Sequence, residues 1–421
     1  MKNKAIVGGI GLVVIIVAGQ FYTKAAYEES IDAQVKQLKE QLRGKSVSLA
    51  HQPAERDIFS ASDVFEINIS ADDTRLQLLN LNGDLTFNAL NNCTLLPFYI
   101  TCDTALEPLS SAAINMAKTY PVEYKAGWSA NVLFNSVESF LTTEETVIDD
   151  FDGKLVLAPT SIYSETNLEM SEYEIEANWK GMTLTGSSTG TDISLGRFQY
   201  TAEAELEDKN FFTGESTIDL TDIKIVSNAS AMLPSEILID KIMVSTEMER
   251  EEDALYELEY EFHIDNISTG TTKDVISNVE ADISIDQLSP ELLSALRTMD
   301  SQSQGKAFDS AINIFGQREH NITIEKFGFH FNDEPISITG DLKLARHKAA
   351  DYDKGEIGQK INGVAEISIA KELAESSPLI SLVLAEQIKQ EVLTLEDNTY
   401  KGDFVIKQGE VMTNDKRLFK L

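Results

Sequence analysis

The residue types best suited to chemistry in this chain are two cysteines, five histidines and a large surplus of carboxylates. Cys93 and Cys102 stand in the stretch NNCTLLPFYITCD, too far apart for a redox pair, in which two residues separate the thiols. A zinc site would need two further ligands, and no histidine lies near in sequence. In an oxidising compartment the remaining reading is a structural disulfide that closes a loop around Pro97. The histidines are His51, His263, His320, His330 and His347. No two share metal-ligand spacing within one element; His320 and His330 bracket a single strand, about 33 Å apart when extended. His263 and His330 fall inside alternating segments and read as surface or core-edge residues.

The carboxylates are numerous without being arranged. Asp and Glu total 69 against 35 Lys and Arg, a net charge of −34. That surface repels phosphate backbones, so nucleic acid is excluded as a partner. The segments ELEDKN and EMEREEDALYE lack the residue order of a calcium loop and read as charged strand ends or turns. Nothing singles out a pair of acids at the separation that glycoside hydrolysis needs. There is also no Gly-rich phosphate loop and no H-E-x-x-H pair. No residue is assigned a catalytic, cofactor-binding or metal-binding role, and no cofactor is expected.

The elements that carry these residues begin with MKNKAIVGGIGLVVIIVAGQFYTK. Lys2 and Lys4 precede an apolar run from Ala5 to Ala18 that extends to Tyr22. At about 1.5 Å per residue this run covers about 27 Å, enough to cross a hydrocarbon core. Its apolar side chains are Ile6, Val7, Ile10, Leu12, Val13, Val14, Ile15, Ile16 and Val17, with Phe21 and Tyr22 where interfacial aromatics lie. Thr23-Lys24-Ala25 is a poor cleavage site, which favours a retained signal anchor over 1–23 rather than a cleaved signal peptide. Glu28, Glu29 and Asp32 follow the run, so the positive-inside rule keeps the N-terminus cytoplasmic and exports the rest. In a bacterium this places the bulk of the chain in the periplasm, anchored to the inner membrane, where disulfides form.

A membrane-proximal amphipathic helix is expected over 24–44. Ile31, Val35, Leu38 and Leu42 make one apolar stripe on it. A stalk helix lying on its own β domain is one reading of the stripe; a short parallel coiled coil, hence a homodimer, is the other. From Ile58 onward the dominant period is two. FEINIS, GKLVLAP, YEIEANW, STIDLTDIKIVS, LYELEYEFHID, VEADISID, ITIEKFGFHF and ISITGDLKLA all alternate, with acids on the wet face. Helical spacing interrupts at 107–120, at 289–316 behind Ser289 and Pro290, and at 369–395, where Pro378 breaks it. Two of these helices each follow an alternating strand, a hint of duplication. The expected fold is mainly β (α+β), an extended antiparallel sheet with a few docked helices, preceded by one N-terminal transmembrane helix. The β-rich region is 45–421, with two related subdomains dividing near 230–290.

Three segments carry a family resemblance. A short basic start with a span ending GQFYTKAAYEESIDAQVKQL, then ERDIFSASDVFEI, and a closing YKGDFVIKQGEVMTND resemble the bacterial YdgA-like proteins. Asp57 stands where members carry Gly, and the family's His-Gly-Pro-Phe segment has no match; the cysteine loop occupies that region. The resemblance implies an inner-membrane-anchored periplasmic protein of unknown function and no activity.

The leading expectation is a non-enzymatic envelope platform that binds lipid or protein, with the bilayer as a partner through the N-terminal helix. A periplasmic hydrolase acting on glycan or peptide through carboxylates is the alternative. An apolar groove enclosed by the sheet would favour lipid, an exposed apolar patch a protein, and a polar cleft of converging acids the hydrolase. The topology is checked by reporters fused after residue 60: one that works only outside the cytoplasm should be active, and activity of a cytoplasm-only reporter would reverse the assignment.

Overall fold

The structure, a computed structural model, describes residues 2–43, 46–71, 83–149, 153–186, 190–207, 211–227, 235–251, 254–270, 275–297, 304–376, 378–414 and 416–421. Over 2–17 and at a few other helical positions it describes the backbone only. The chain separates into two compact units, Met1–Lys180 and Gly181–Leu421. The division expected near 230–290 falls instead within a continuous antiparallel ladder of the second unit.

The first unit opens with one unbroken helix, α1 (Lys2–Gln41), about 60 Å long, where two successive segments were expected. A meander follows: β1 (Val47–Arg56), β2 (Ser60–Ile69), β3 (Leu85–Leu96), β4 (Tyr99–Pro108), helix α2 (Ser111–Thr119), β5 (Tyr124–Asn131) and β6 (Ser136–Thr143). The hairpin β7 (Thr146–Ile148) and β8 (Lys154–Leu157) precedes β9 (Thr160–Thr166) and β10 (Glu172–Trp179). Neighbours pair antiparallel in the order β1-β2-β3-β4-β5-β6-β9-β10. α2 begins where Ser110 Oγ accepts from the Ala113 amide, and it buries Ala113 against Leu85.

The second unit is a longer ladder. Its strands are β11 (Met182–Thr185), β12 (Thr191–Leu195), β13 (Arg197–Glu207), β14 (Phe211–Ser227), β15 (Glu236–Arg250), β16 (Tyr256–Thr269) and β17 (Val275–Leu288). Helices α3 (Pro290–Arg297) and α4 (Gln304–Phe315) lead to β18 (His320–Phe331) and β19 (Glu334–Leu344). A short helix α5 (Ala349–Asp353) precedes β20 (Ile361–Ala370), α6 (Lys371–Ser376) and α7 (Pro378–Lys389). The chain ends in β21 (Thr394–Glu396), β22 (Thr399–Lys407), β23 (Glu410–Thr413) and β24 (Lys416–Lys420). β14 is long enough for β12 and β13 to share one of its edges while β15 takes the other.

The period-two alternation fixes this unit's faces. One cross-strand row runs Ile218, Val244, Phe262, Ala281, Phe327, Ile338, Ile367 and Gly402 over β14 to β22. The opposite face carries the acids, as expected from YELEYEF. α3 starts with Ser289 Oγ accepting from the Leu292 amide, and its Leu292 and Leu293 join Phe211, Tyr256 and Leu288 in a core. The strand–helix–helix–strand recurrence is present at both β17–β18 and β20–β22. Tight turns use left-handed residues that tolerate positive φ: Asn332-Asp333 (51° and 69°) and Gln408-Gly409 (51° and 74°).

Among the described residues no helix is long and apolar enough to cross a membrane. The side chains expected to form the anchor, Ile6 to Val17, lie outside the described residues. From Gly19 onward α1 is docked on the rest of its own unit.

The disulfide forms: Cys93 and Cys102 are directly opposed on β3 and β4, with S–S 2.06 Å. It closes a loop of about ten residues, whose chain-entropy contribution is about 2.7 kcal/mol. Both half-cystines are buried, so thiol reagents should label the native protein only after reduction in denaturant. Replacing both by Ala should lower unfolding stability by up to that amount, measured by denaturant titration of the full chain.

Candidate functional site

The only acid on the inward set of β2 is Asp63, within Ala61, Asp63, Phe65 and Ile67. Its side chain is 0% exposed. A buried carboxylate is costly unless donors replace its water, and here three do. Tyr27 Oη, from α1, donates to Oδ2 at 2.5 Å. His51 Nε2 and Arg56 Nη2, both from β1, donate to Oδ1 at 2.6 and 2.9 Å. His51 and Arg56 would point to opposite faces of a regular strand. A register shift between Pro53 and Glu55 inserts one residue and turns both inward. Among the described residues β1 pairs with β2 alone, and Pro53 is tolerated on such an edge.

Aromatic contacts hold the donors in place. The Tyr27 ring stacks on Trp128 at 6.2 Å, with the Arg56 guanidinium 5.9 Å from its centroid, and His51 stacks on Phe65 at 4.8 Å. Burial pushes the Asp63 carboxyl up, but the bonds from Tyr27, Arg56 and His51 and the Arg56 charge outweigh it, so its pKa lies below the ordinary carboxylate value. Burial and the adjoining Asp63 raise the Tyr27 phenol. Burial lowers the Arg56 guanidinium, and the bond to Asp63 with the charges of Asp63 and Asp32 more than reverses it. Asp63 therefore stays ionised, Tyr27 and Arg56 stay protonated, and the group is a polar clasp between α1 and the sheet.

The same helix face continues in both directions at helical spacing. Gln20, Thr23, Tyr27, Ile31 and Val35 are all buried. Gln20 Nε2 donates to the carbonyls of Ile58 (2.6 Å) and Leu95 (3.0 Å), and Thr23 Oγ1 accepts from the Phe98 amide at 2.6 Å. Phe98 sits at the tip of the disulfide-clasped β3–β4 hairpin with φ +64°, a conformation that non-glycine residues rarely hold. Its ring lies so close to Gly19 that a Cβ there would meet it at 2.5 Å. The clasped loop thus grips α1.

Between α1 and the sheet lies a cavity of about 430 Å³, lined from the helix by Tyr27, Ile31, Val35 and Leu38 and from the sheet by Leu49, Phe65, Ala89, Ile100, Trp128, Ala130 and Val137. Its helical wall from Ala26 to Leu38 extends about 18 Å. Small residues leave the space, notably Ala89, Ala130, Ser139 and Ser164. The polar wall residues are largely satisfied among themselves: Ser139 and Ser164 hydroxyls pair at 2.7 Å and Thr104 donates to Asn91 at 2.6 Å. Carbon surface faces the void.

The stripe Ile31, Val35, Leu38 and Leu42 is divided. Ile31 and Val35 are buried on the chain's own sheet, Leu42 is half-buried, and Leu38 is exposed at the cavity rim. His320 is buried, each ring nitrogen within hydrogen-bond distance of a carbonyl (Asp286 and Phe315), and His263 lies beside Asp265. Among the described residues no group of three or more His, Cys, Asp or Glu could hold a metal ion. Glu215, Glu247 and Glu259 stand side by side on β14, β15 and β16. Partial burial first, then neighbouring carboxylates, raise Glu247 and Glu259. This is one face of a sheet, not two walls of a cleft.

Sequence reasoning missed the clasp. One signal was available: extending the FEINIS alternation back by two residues places Asp63 on the apolar face.

The chain belongs to a bacterial protein family of unknown function, DUF945, whose profile matches residues 1–418. The resemblance to a bacterial family of unknown function agrees with that match. No curated protein and no solved structure is similar to the chain.

Asp63→Ala should cost about 3–5 kcal/mol, because it leaves Arg56 and Tyr27 without their buried partner. Asp63 is depressed in the fold, so its contribution is present above the unfolded carboxyl pKa and is lost as pH falls through the folded value. The stability gap between wild type and Asp63→Asn, measured by urea titration, should be present at pH 5 and shrink below about 4.

Proposed function

We propose that this member of a bacterial family of unknown function is a non-enzymatic envelope protein that holds an acyl chain between α1 and the sheet of its first unit. On this reading α1 starts in the inner membrane, the N-terminus is cytoplasmic and the β-rich bulk lies in the periplasm. The observation that carries the proposal is the cavity. Its volume of about 430 Å³ falls within the range of small-molecule pockets, roughly 300–1,000 Å³. An apolar slot bordered by three turns of a helix suits a hydrocarbon better than a polar substrate.

Other features agree. The Lys2 and Lys4 start with the apolar run behind it supports the anchor, and the intact disulfide suits an oxidising compartment. The acids with raised pKa values are neighbours on one sheet face rather than two walls of a cleft, which supports a binding reading.

A photoactivatable fatty acid added to the full chain in nanodiscs should crosslink to α1, β5 or β6. Ser164→Phe, which fills the slot from its floor, should abolish most of that labelling while leaving the circular dichroism unchanged. Labelling that is spread over the chain, or indifferent to Ser164→Phe, would reject the proposal.

A further inference from the structure

Three hairpin tips of the first unit gather at the level where α1 becomes docked. Gln20 ties the β1–β2 tip to α1 through the Ile58 carbonyl, and the Leu95 amide donates to Phe59 O at 2.9 Å. Thr23 ties on the β3–β4 tip through the Phe98 amide, and the Val132 amide at the β5–β6 tip donates to Phe98 O at 3.0 Å. The tips and helix residues 19–23 therefore form one connected rim.

Turns exposed to water are normally polar. These present Phe59 at 64% exposure, Leu133 at 62% and Phe134 at 79%, together with exposed Ile58, Leu96 and Tyr99. On the adjoining helix turn, Phe21 and Tyr22 are also exposed, at 57% and 56%. The packing does not require this, because the core is made by other residues of the same strands, among them Leu95, Ile100 and Val132. The one acid at these tips, Asp57, accepts a bond from the Ile58 amide. Immediately N-terminal to this rim α1 continues into the apolar run of Ala5 to Ala18.

We infer that this rim is an apolar collar that inserts into the acyl–headgroup boundary of the bilayer around the exit point of α1, seating the first unit directly on the membrane. The inference rests on the reading of α1 as the anchor and goes beyond it, since a stalked domain standing clear of the surface would satisfy an anchor equally well. The occupant is the bilayer rather than a protein because the patch adjoins the very helix that leads into it. Large apolar side chains beside interfacial aromatics, without clustered Lys or Arg, suit a neutral interface, where such groups bury about 5–10 Å deep. An acyl chain bound along α1 from Ala26 would then begin within two helical turns of the lipid that supplies it.

The test reconstitutes the full chain in vesicles of phosphatidylethanolamine and acyl-brominated phosphatidylcholine. It compares Phe134→Trp and Phe59→Trp with Leu109→Trp, an exposed position beyond the far end of β4. Against the parent's own tryptophans, Trp at 134 and at 59 should emit at shorter wavelength and lose most of its intensity to bromine, and Trp at 109 should do neither. Protein that floats with the vesicles while Trp at 134 and 59 emits as in water would overturn the collar and leave the anchor standing. Quenching at all three positions would also overturn it, as general adsorption, and failure to float would overturn anchor and collar together.

Discussion

The first unit depends on a single buried carboxylate. Asp63 carries full charge at a site with no solvent exposure, and only the simultaneous presence of α1 and β1 donors makes that tolerable. Sliding α1 by one turn, or rotating it, would strand the charge and remove the Tyr27 ring from Trp128. An apolar helix face could slip along a curved sheet at little cost; the clasp gives it one position. The carboxylate thereby sets the placement of everything else on α1, including the Gln20 and Thr23 contacts to the hairpin tips and the wall that Ile31, Val35 and Leu38 give to the cavity.

Much of the architecture was legible because period-two alternation is a local property. The long strands from β14 to β19, the break at Pro378 and the turns at Asn332-Asp333 and Gln408-Gly409 all follow from residues adjacent in sequence. Tertiary features were not legible for a physical reason. The register shift after Pro53 is a one-residue insertion with no composition of its own, yet it brings His51 and Arg56 to the same face. The helix stripe was ambiguous because Ile31 and Val35 look alike whether they meet a second copy or their own sheet. The cavity is written in small residues, Ala89, Ala130, Ser139 and Ser164, which single strands show only as weak alternation.

The segments that carried the family resemblance take on a physical meaning together. GQFYTKAAYEESIDAQVKQL contains Gly19, Gln20, Thr23, Tyr27, Ile31 and Val35; ERDIFSASDVFEI contains Arg56, Ile58, Phe59, Ala61 and Asp63. They lie close together in the chain and meet, with His51 from the stretch between them, in the clasp. The cysteine hairpin joins them, its disulfide holding the Pro97–Phe98 tip against Gly19. What these two motifs specify is how a helix is seated on a sheet.

The central claim is that α1 is an integral wall of the first unit rather than a flexible stalk. Hydrogen exchange on the unmodified full chain in nanodiscs measures this directly. Amides of residues 23–35 should exchange as slowly as those of β2 and β3, since they open only when the clasp and the sheet open together. Exchange of those amides on the fast scale of a solvent-exposed helix, with β2 and β3 still protected, would contradict the account.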